Sequence, residues 1–350
     1  MKKTLIAMAV LGAASGFAMA ASNVTLYGKI DTGIGIEKAK DGSAKITEAT
    51  GKMSGSRWGI KGVEDLGNGY SVGFVLEQGF NSDNGASKST RQFHRESQMY
   101  VQGDFGKVGF GRFGGLSSDC GSYSILTGWQ FGTSYSDTGS IGKFAKLSDR
   151  MNNSVVYVAP AVGGVTVSAM YSNDAIDADD AEKWSKNTHY YGLGAKAAWG
   201  AFNGSAIFEV YDNKADKATS GEAEPAYAIT LGGNQNFEAF TLSGIYQYAW
   251  QDDEYKQHAA GVSAAIPLAG GKAKLGVKGV MGEDETVVSG EDKYRAWSVN
   301  AAYEYPLSKR TIVYGYAGYA SGDKLYNNET SKKDFGLNGY AIYAGLVHNF

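Results

Sequence analysis

The sequence predicts an all-β fold, a sixteen-stranded antiparallel transmembrane β-barrel with short turns on one rim and long loops on the other. Three observations carry that prediction. Apolar and polar residues alternate with period two through sixteen separate segments, which is the signature of strands with two unlike faces. The connections between segments are tight and long by turns, the layout of an outer-membrane barrel. The chain also holds 49 glycines and 23 tyrosines but only four prolines, a composition suited to aromatic strands and turns.

Residues 1–20 stand apart. In "MKKTLIAMAVLGAASGFAMA" two lysines precede an apolar run from Leu5 to about Ala14, and Ala18-Met19-Ala20 follows. That is the pattern of a secretory signal cleaved after Ala20, and the run is too short for the ~20 residues of a spanning helix. The barrel is therefore expected over 21–350. Loss of Lys2 and Lys3 takes the 33 basic side chains to 31 against 36 acidic ones, a charge of −5. This balance argues against a nucleic-acid partner. The single cysteine, Cys120, excludes an internal disulfide framework. No later window offers ~18 consecutive apolar residues, so any membrane crossing is made by strands.

The segments lie at 24–36, 57–65, 70–80, 92–103, 107–113, 153–160, 164–173, 188–199, 202–212, 225–233, 236–250, 255–267, 272–282, 294–306, 310–321 and 336–350. Most approach the ~9–11 residues with which a tilted strand crosses a bilayer. "VTLYGKID" sends Val24, Leu26 and Ile30 to one face and Thr25, Lys29 and Asp31 to the other. "SRWGIKG" opposes Trp58 and Ile60 to Arg57 and Lys61, and "YSVGFVLE" opposes Val72, Phe74 and Leu76 to Ser71 and Glu77. "KAKLGVKG" does the same with Ala273, Leu275 and Val277 against Lys272, Lys274 and Lys278.

The second face carries too much charge for a packed core. A wet lumen inside an oily exterior resolves the conflict, because closure also satisfies every strand edge. Lys29, Asp31, Glu77, Lys272, Lys274 and Lys278 are thus expected to line the lumen. A sandwich of this length would more often divide in two, and a propeller would show a repeat of ~40–50 residues. Neither a linker nor a repeat is visible.

The short turns fall at Leu66-Gly67-Asn68-Gly69, Asp104-Phe105-Gly106, Ala161-Val162-Gly163, Gly200-Ala201, Asn234-Gln235, Leu268-Ala269-Gly270 and Leu307-Ser308-Lys309. Pro160, Pro267 and Pro306 sit where strands reach such turns, positions at which a sheet tolerates proline. The longest connection, residues 114–152, contains Trp129, Phe131, Tyr135, Ile141, Phe144 and Leu147. It is too apolar for a solvated tail and long enough to be functional. Folding into the barrel would satisfy it and bring Asp119, Asp137, Lys143 and Lys146 toward the pore axis.

Catalysis is not expected. His94, His189, His258 and His348 lack G-x-S-x-G or H-E-x-x-H partners, and no His/Cys pair has metal-ligand spacing. An outer-membrane protease or phospholipase would need a positioned nucleophile and base; a purely adhesive barrel would need no charged lumen. The terminal strand puts Tyr340, Ile342, Ala344, Leu346, His348 and Phe350 on one face. Phe350 is placed to join an aromatic girdle; the pattern also resembles the insertion signal that outer-membrane barrels present to the barrel assembly machinery.

Several blocks resemble the Gram-negative general porins of neisserial and betaproteobacterial type: "SNVTLYGKIDTGI", "GSRWGIKGVEDLGNGYSVGFVLEQGF", "GDFGKVGFGRF", "DRMNNSVVYVAP", "PLSKRTIVYGYAGY" and "AGLVHNF". The resemblance implies a homotrimeric outer-membrane pore, in a lipid bilayer with lipopolysaccharide, through which small hydrophilic solutes and ions diffuse passively. It implies an in-folded third loop faced by wall arginines, which by block position are Arg57, Arg95 and Arg150. The acidic-proline motif expected at the tip of that loop is absent. Arg57 has lumen-facing parity, as does Lys61. Arg95 shares parity with Met99 and Val101, and Arg112 with Val108 and Phe110, so both need a bulge or a later strand start to turn inward.

Basic side chains at a narrow point favour anions, unless each pairs locally with Glu77 or Asp31. A channel specific for one nutrient is the alternative. Asp174, Asp177, Asp179, Asp180 and Glu182 in loop four, and Glu283, Asp284 and Glu285 in loop seven, either are solvated charge or hold Ca²⁺ or Mg²⁺ against lipopolysaccharide; no EF-hand spacing is present. No cofactor is expected in the pore. A free thiol such as Cys120 in a loop is more often incidental than reactive.

Overall fold

The computed structural model describes residues 23–39, 42–176, 187–213, 224–287, 290–323 and 339–350. The expected signal segment lies outside them, as do Asp177, Asp179, Asp180 and Glu182 of loop four. Alternation does build strands throughout: β1 (Asn23–Ala39), β2 (Lys45–Glu48), β3 (Arg57–Gly67), β4 (Tyr70–Gly79), β5 (Glu96–Gly103), β6 (Gly106–Gly114), β7 (Arg150–Val158) and β8 (Val165–Asp174). There follow β9 (Thr188–Trp199), β10 (Phe202–Asn213), β11 (Ala226–Phe237), β12 (Phe240–Gln251), β13 (Tyr255–Leu268), β14 (Gly271–Asp284), β15 (Lys293–Pro306), β16 (Thr311–Gly322) and β17 (Gly339–Asn349). Sixteen form the wall. The extra one, β2, is a short strand of the first loop that pairs with the end of β1.

The wall closes on itself. β1 pairs through Asn23–Lys29 with β3 and from Lys29 onward with β17, so neither terminal strand leaves an open edge, the condition for sheet in hydrocarbon. Phe350 extends the seam: its N–H donates to the Gly28 carbonyl at 3.0 Å and its carbonyl accepts from the Gly28 N–H at 3.1 Å. Its ring lies over Gly28, where a Cβ would meet the ring at 2.2 Å. The last residue is a structural part of the closure.

The two faces behave as their chemistry requires. Val24, Leu26, Ile34, Phe110, Leu193, Trp199, Val277, Trp297 and Ile342 are among the exposed apolar residues of the outer face. Their neighbours in alternation turn inward. The buried apolar cluster, however, lies between loop three and the wall. Trp129, Phe131, Tyr135, Ile141 and Phe144 from the loop pack on Tyr314, Tyr316, Tyr343 and Val280 of the wall, and each such large side chain removed from water is worth about 1.5–3 kcal/mol. The core of this barrel is the underside of its third loop.

Three boundaries differ from expectation. The eleventh strand runs through Asn234-Gln235, which pair with Asn203 and Phe202 on one side and Ser243 and Leu242 on the other; the turn is made by Glu238 and Ala239. Gly232-Gly233-Asn234 imitates turn chemistry, but Gly232 is there for loop three, whose Thr127 carbonyl would lie 2.1 Å from any Cβ. The sixth wall segment starts earlier than expected, at Arg150, and the fourth later, at Glu96. Phe93, with φ 48°, breaks the chain direction just before it.

Candidate pore constriction

Loop three, residues 115–149, is a shelf inside the barrel. Its outgoing limb crosses β9 to β16 in order. Ile125 packs over Gly194, Thr127 hydrogen-bonds Ser205, and Gln130 reaches Ser243 and Ser263 at 2.6 and 3.0 Å. At the tip, Thr138 shares a 2.7 Å bond with the Tyr316 hydroxyl, and its carbonyl accepts from Ser298. Tyr135 stacks on Tyr316 with centroids 4.5 Å apart and donates to Glu304 at 3.0 Å. Its N–H also reaches the Lys52 carbonyl of loop one at 2.6 Å.

The returning limb is tied back along the same wall. Lys278 donates to the Ser140 carbonyl at 2.6 Å, Gln257 to the Phe144 carbonyl at 3.2 Å, and Gln247 brackets Lys146 through its backbone N–H and carbonyl. These backbone groups, taken from water inside the barrel, thereby find partners. The shelf covers the β9–β16 side; toward β3–β7 the loop meets the wall near its start, through Ser122 on Glu96 and Tyr123 on Gln98, and the rest of that side lines the opening.

The remaining opening is a cavity of about 1060 Å³. Arg57, Arg95 and Arg150 line it from the wall, with Lys52 of loop one; loop three contributes Asp119, Cys120, Lys143 and a run of serines. One carboxylate organises the wall side. Glu77 accepts from Arg95 Nε at 2.6 Å and from the Tyr27 hydroxyl at 3.1 Å, with Arg57 Nε at 3.3 Å. Arg150 meets only Asp149, at 3.6 Å, and its buried Nε has no acceptor among the described residues. The second acid nearby, Glu96, is taken by the Ser122 backbone N–H at 2.7 Å and hydroxyl at 3.0 Å. Two guanidiniums on one carboxylate leave positive charge in excess.

The predicted residues divide accordingly. Arg57, Arg95 and Arg150 converge, and Arg95 turns inward because β5 begins only at Glu96. Arg112 is a correction. Despite the bulge between Gly111 and Phe113, it is not among the cavity-lining residues: its Nε donates to the His94 carbonyl at 2.7 Å and an Nη to Asn152 at 2.8 Å. Burial and then Arg95 push the His94 imidazole below the ordinary range, which favours its neutral form. Lys61 stands over the Tyr27 ring at 5.2 Å, outside the cavity lining.

Of the loop-three candidates, Asp119 and Lys143 line the cavity, and Asp119 accepts from the Thr133 N–H at 2.7 Å. Lys146 instead lies 4.6 Å from the Tyr255 ring against the wall. The side chain of Asp137 lies outside the described residues.

The expected lumen-lining group needs two corrections. Asp31 faces inward but is fully buried, accepting from Ser54 N–H at 2.7 Å and Tyr314 at 2.9 Å. Lys278 is buried beneath the shelf, near Trp129 and Phe144. Neither could be told from parity alone, which does not say what covers a face. Lys29 reaches Ser54 at 3.1 Å, Lys274 pairs with Glu304 at 2.5 Å, and Lys272 lines a smaller cavity of about 310 Å³ with Gln130 and Asn234. In loop seven, Asp284 accepts from Thr286 and Glu285 pairs with Lys256 at 2.5 Å. Sequence reasoning missed Lys52, which lies outside the sixteen segments, and Glu96, which shares the inward parity of Gln98 within the segment at 92–103.

A family model described as "Gram-negative porin" matches residues 7–325. The chain belongs to that family. An outer membrane porin protein of Bordetella pertussis is 30% identical, with all of both chains covered. Among solved structures, an anion-selective porin from Comamonas acidovorans shares the fold at a TM-score of 0.70 and 24% identity, covering 94% of this chain and 100% of its own. A trimer form of OmpT from Vibrio cholerae does so at 0.66 and 18% identity, covering 94% and 100%. This porin is an outer-membrane β-barrel for passive diffusion of small hydrophilic solutes.

Proposed function

We propose that this porin passes small anions in preference to cations and that Arg57, Arg95 and Arg150 set the preference. The carrying observation is the sharing of Glu77 by Arg57 and Arg95 on the open side of the constriction. A unit charge 4 Å from a permeating ion is worth about 4 kcal/mol at an effective dielectric of 20. With a Debye length of ~8 Å at physiological salt, ions passing beside these groups feel them incompletely screened. The relative described as anion-selective supports the same sign. The test is planar-bilayer recording of the purified protein in a KCl gradient. Reversal on the Cl⁻ side of zero is expected; absent conductance or a K⁺-side reversal overturns the reading.

The working unit we propose is a homotrimer. Val24, Leu26, Ile30, Ile34 and Ile46 form an exposed aliphatic outer patch on β1 and β2, and a solved neighbour is a trimer form. Heat-sensitive migration of a trimer band, or its absence, decides this.

A further inference from the structure

Loop three leaves the wall after β6 and returns at β7, so its neck must be closed for the shelf to hold a fixed height. Neck closure falls on β10, three strands along the wall from β7. Glu209 is almost fully buried there. Its Oε1 accepts from the Tyr190 hydroxyl at 2.6 Å and its Oε2 from the Ser117 hydroxyl at 2.6 Å; the Ser117 N–H is 3.3 Å from Oε1. Each hydroxyl passes the interaction on. Tyr190 accepts from the Leu116 N–H at 3.2 Å, on the outgoing limb. Ser117 accepts from the Ser148 N–H at 2.9 Å, on the returning limb, and Ser148 Oγ accepts from the Ser117 N–H at 3.2 Å.

We propose that Glu209 is the positioning residue of the pore: by orienting two hydroxyls, it clasps both limbs of loop three and fixes the cross-section of the constriction. A carboxyl group suits the place because the Tyr190 hydroxyl and the Ser117 hydroxyl and N–H are all donors aimed at it. An amide would offer one NH₂ to a hydroxyl whose lone pairs are already aimed at a backbone N–H, so one relay must reverse or break. Leaving a buried polar group unmatched costs about 1–3 kcal/mol, enough to raise a displaced loop conformation roughly tenfold in population. Tyr190 and Ser117 are the other two parts of the clasp. The inference rests on the pore reading, and its readout is independent of ion preference.

The test compares single-channel records of wild type, Glu209→Gln, Tyr190→Phe and Ser117→Ala, each first shown to be folded by heat-modifiable migration. Expected are an approximately tenfold rise in time spent at altered conductance levels for Glu209→Gln and a smaller rise for each hydroxyl deletion, with the reversal potential keeping its sign. Open-state noise equal to wild type in folded Glu209→Gln overturns the proposal. If that variant does not fold, Tyr190→Phe and Ser117→Ala decide, and quiet wild-type records from both overturn it. If none of the three folds, Glu209 serves wall assembly and the positioning role is overturned.

Discussion

The two sides of the lumen wall obey the same alternation and have opposite characters. From β9 to β16, the inward positions that meet loop three are mostly small or neutral: Gly194, Gly232, Gly261 and Gly276 admit the loop, Ser263 and Ser298 bind its backbone, and Ser205 and Ser243 bind the side chains of Thr127 and Gln130; the acids there, Glu209 and Glu304, are met by hydroxyls. From β3 to β7, which loop three meets near its start through Ser122 and Tyr123, the inward positions carry Arg57, Glu77, Glu96 and Arg150. Water explains why both faces are polar, since only polar groups remain favourable toward a wet lumen. What covers each side explains which polar groups they are. A long cation under the shelf survives only as Lys278 does, by spending its charge on the Ser140 carbonyl and aromatic faces.

Breaking the covered side has the largest expected effect. Gly232→Val would force a side chain onto the Thr127 carbonyl; overpacking of this kind costs about 1–3 kcal/mol and should shift loop three and change single-channel conductance. Gly244→Val, at an outward site with nothing within 4 Å of a Cβ, should conduct as wild type. Equal conductance in both would dissolve the distinction between the sides. On the open side, Glu77→Gln removes the carboxylate shared by two guanidiniums, and the Cl⁻/K⁺ permeability ratio should rise by about fivefold, equivalent to ~1 kcal/mol. Bi-ionic reversal potentials check this.

Smaller effects sharpen the boundary of the open side. Arg112→Gln should leave the reversal potential unchanged, because Arg112 is committed to the His94 carbonyl and Asn152; a shift as large as that from Arg57 would place it in the filter. The pH response should be smallest. His94 is held below the usual imidazole range by burial and Arg95, so lowering the pH from about 8 to 6 should protonate it less than an ordinary imidazole and change the selectivity little. A Cl⁻ preference that grows over that interval would show His94 titrating there.

The wall was legible because its rule is local. Every second residue must match oil or water, and each rung of the ladder repeats that demand; Thr188–Trp199 emerges residue for residue. Arg57 was legible for the same reason. The shelf followed no such rule. Its course is set by contacts 30 to 180 residues apart, such as Thr138 with Tyr316 and Lys278 with Ser140, and Lys52 and Glu96 enter the site through them. The inward glycines were the available signal: a strand interior gains nothing from glycine unless another backbone approaches. Gly232 carried that signal inside the segment at 225–233, where alternation alone gave it no meaning.

The most direct measurement is the KCl-gradient reversal potential of Arg57→Gln/Arg95→Gln beside wild type, both verified as folded. With Glu77 left uncompensated, the double variant should lose its Cl⁻ preference and move toward K⁺. A reversal potential indistinguishable from wild type would contradict the claim that the uncovered half of the wall selects the ion.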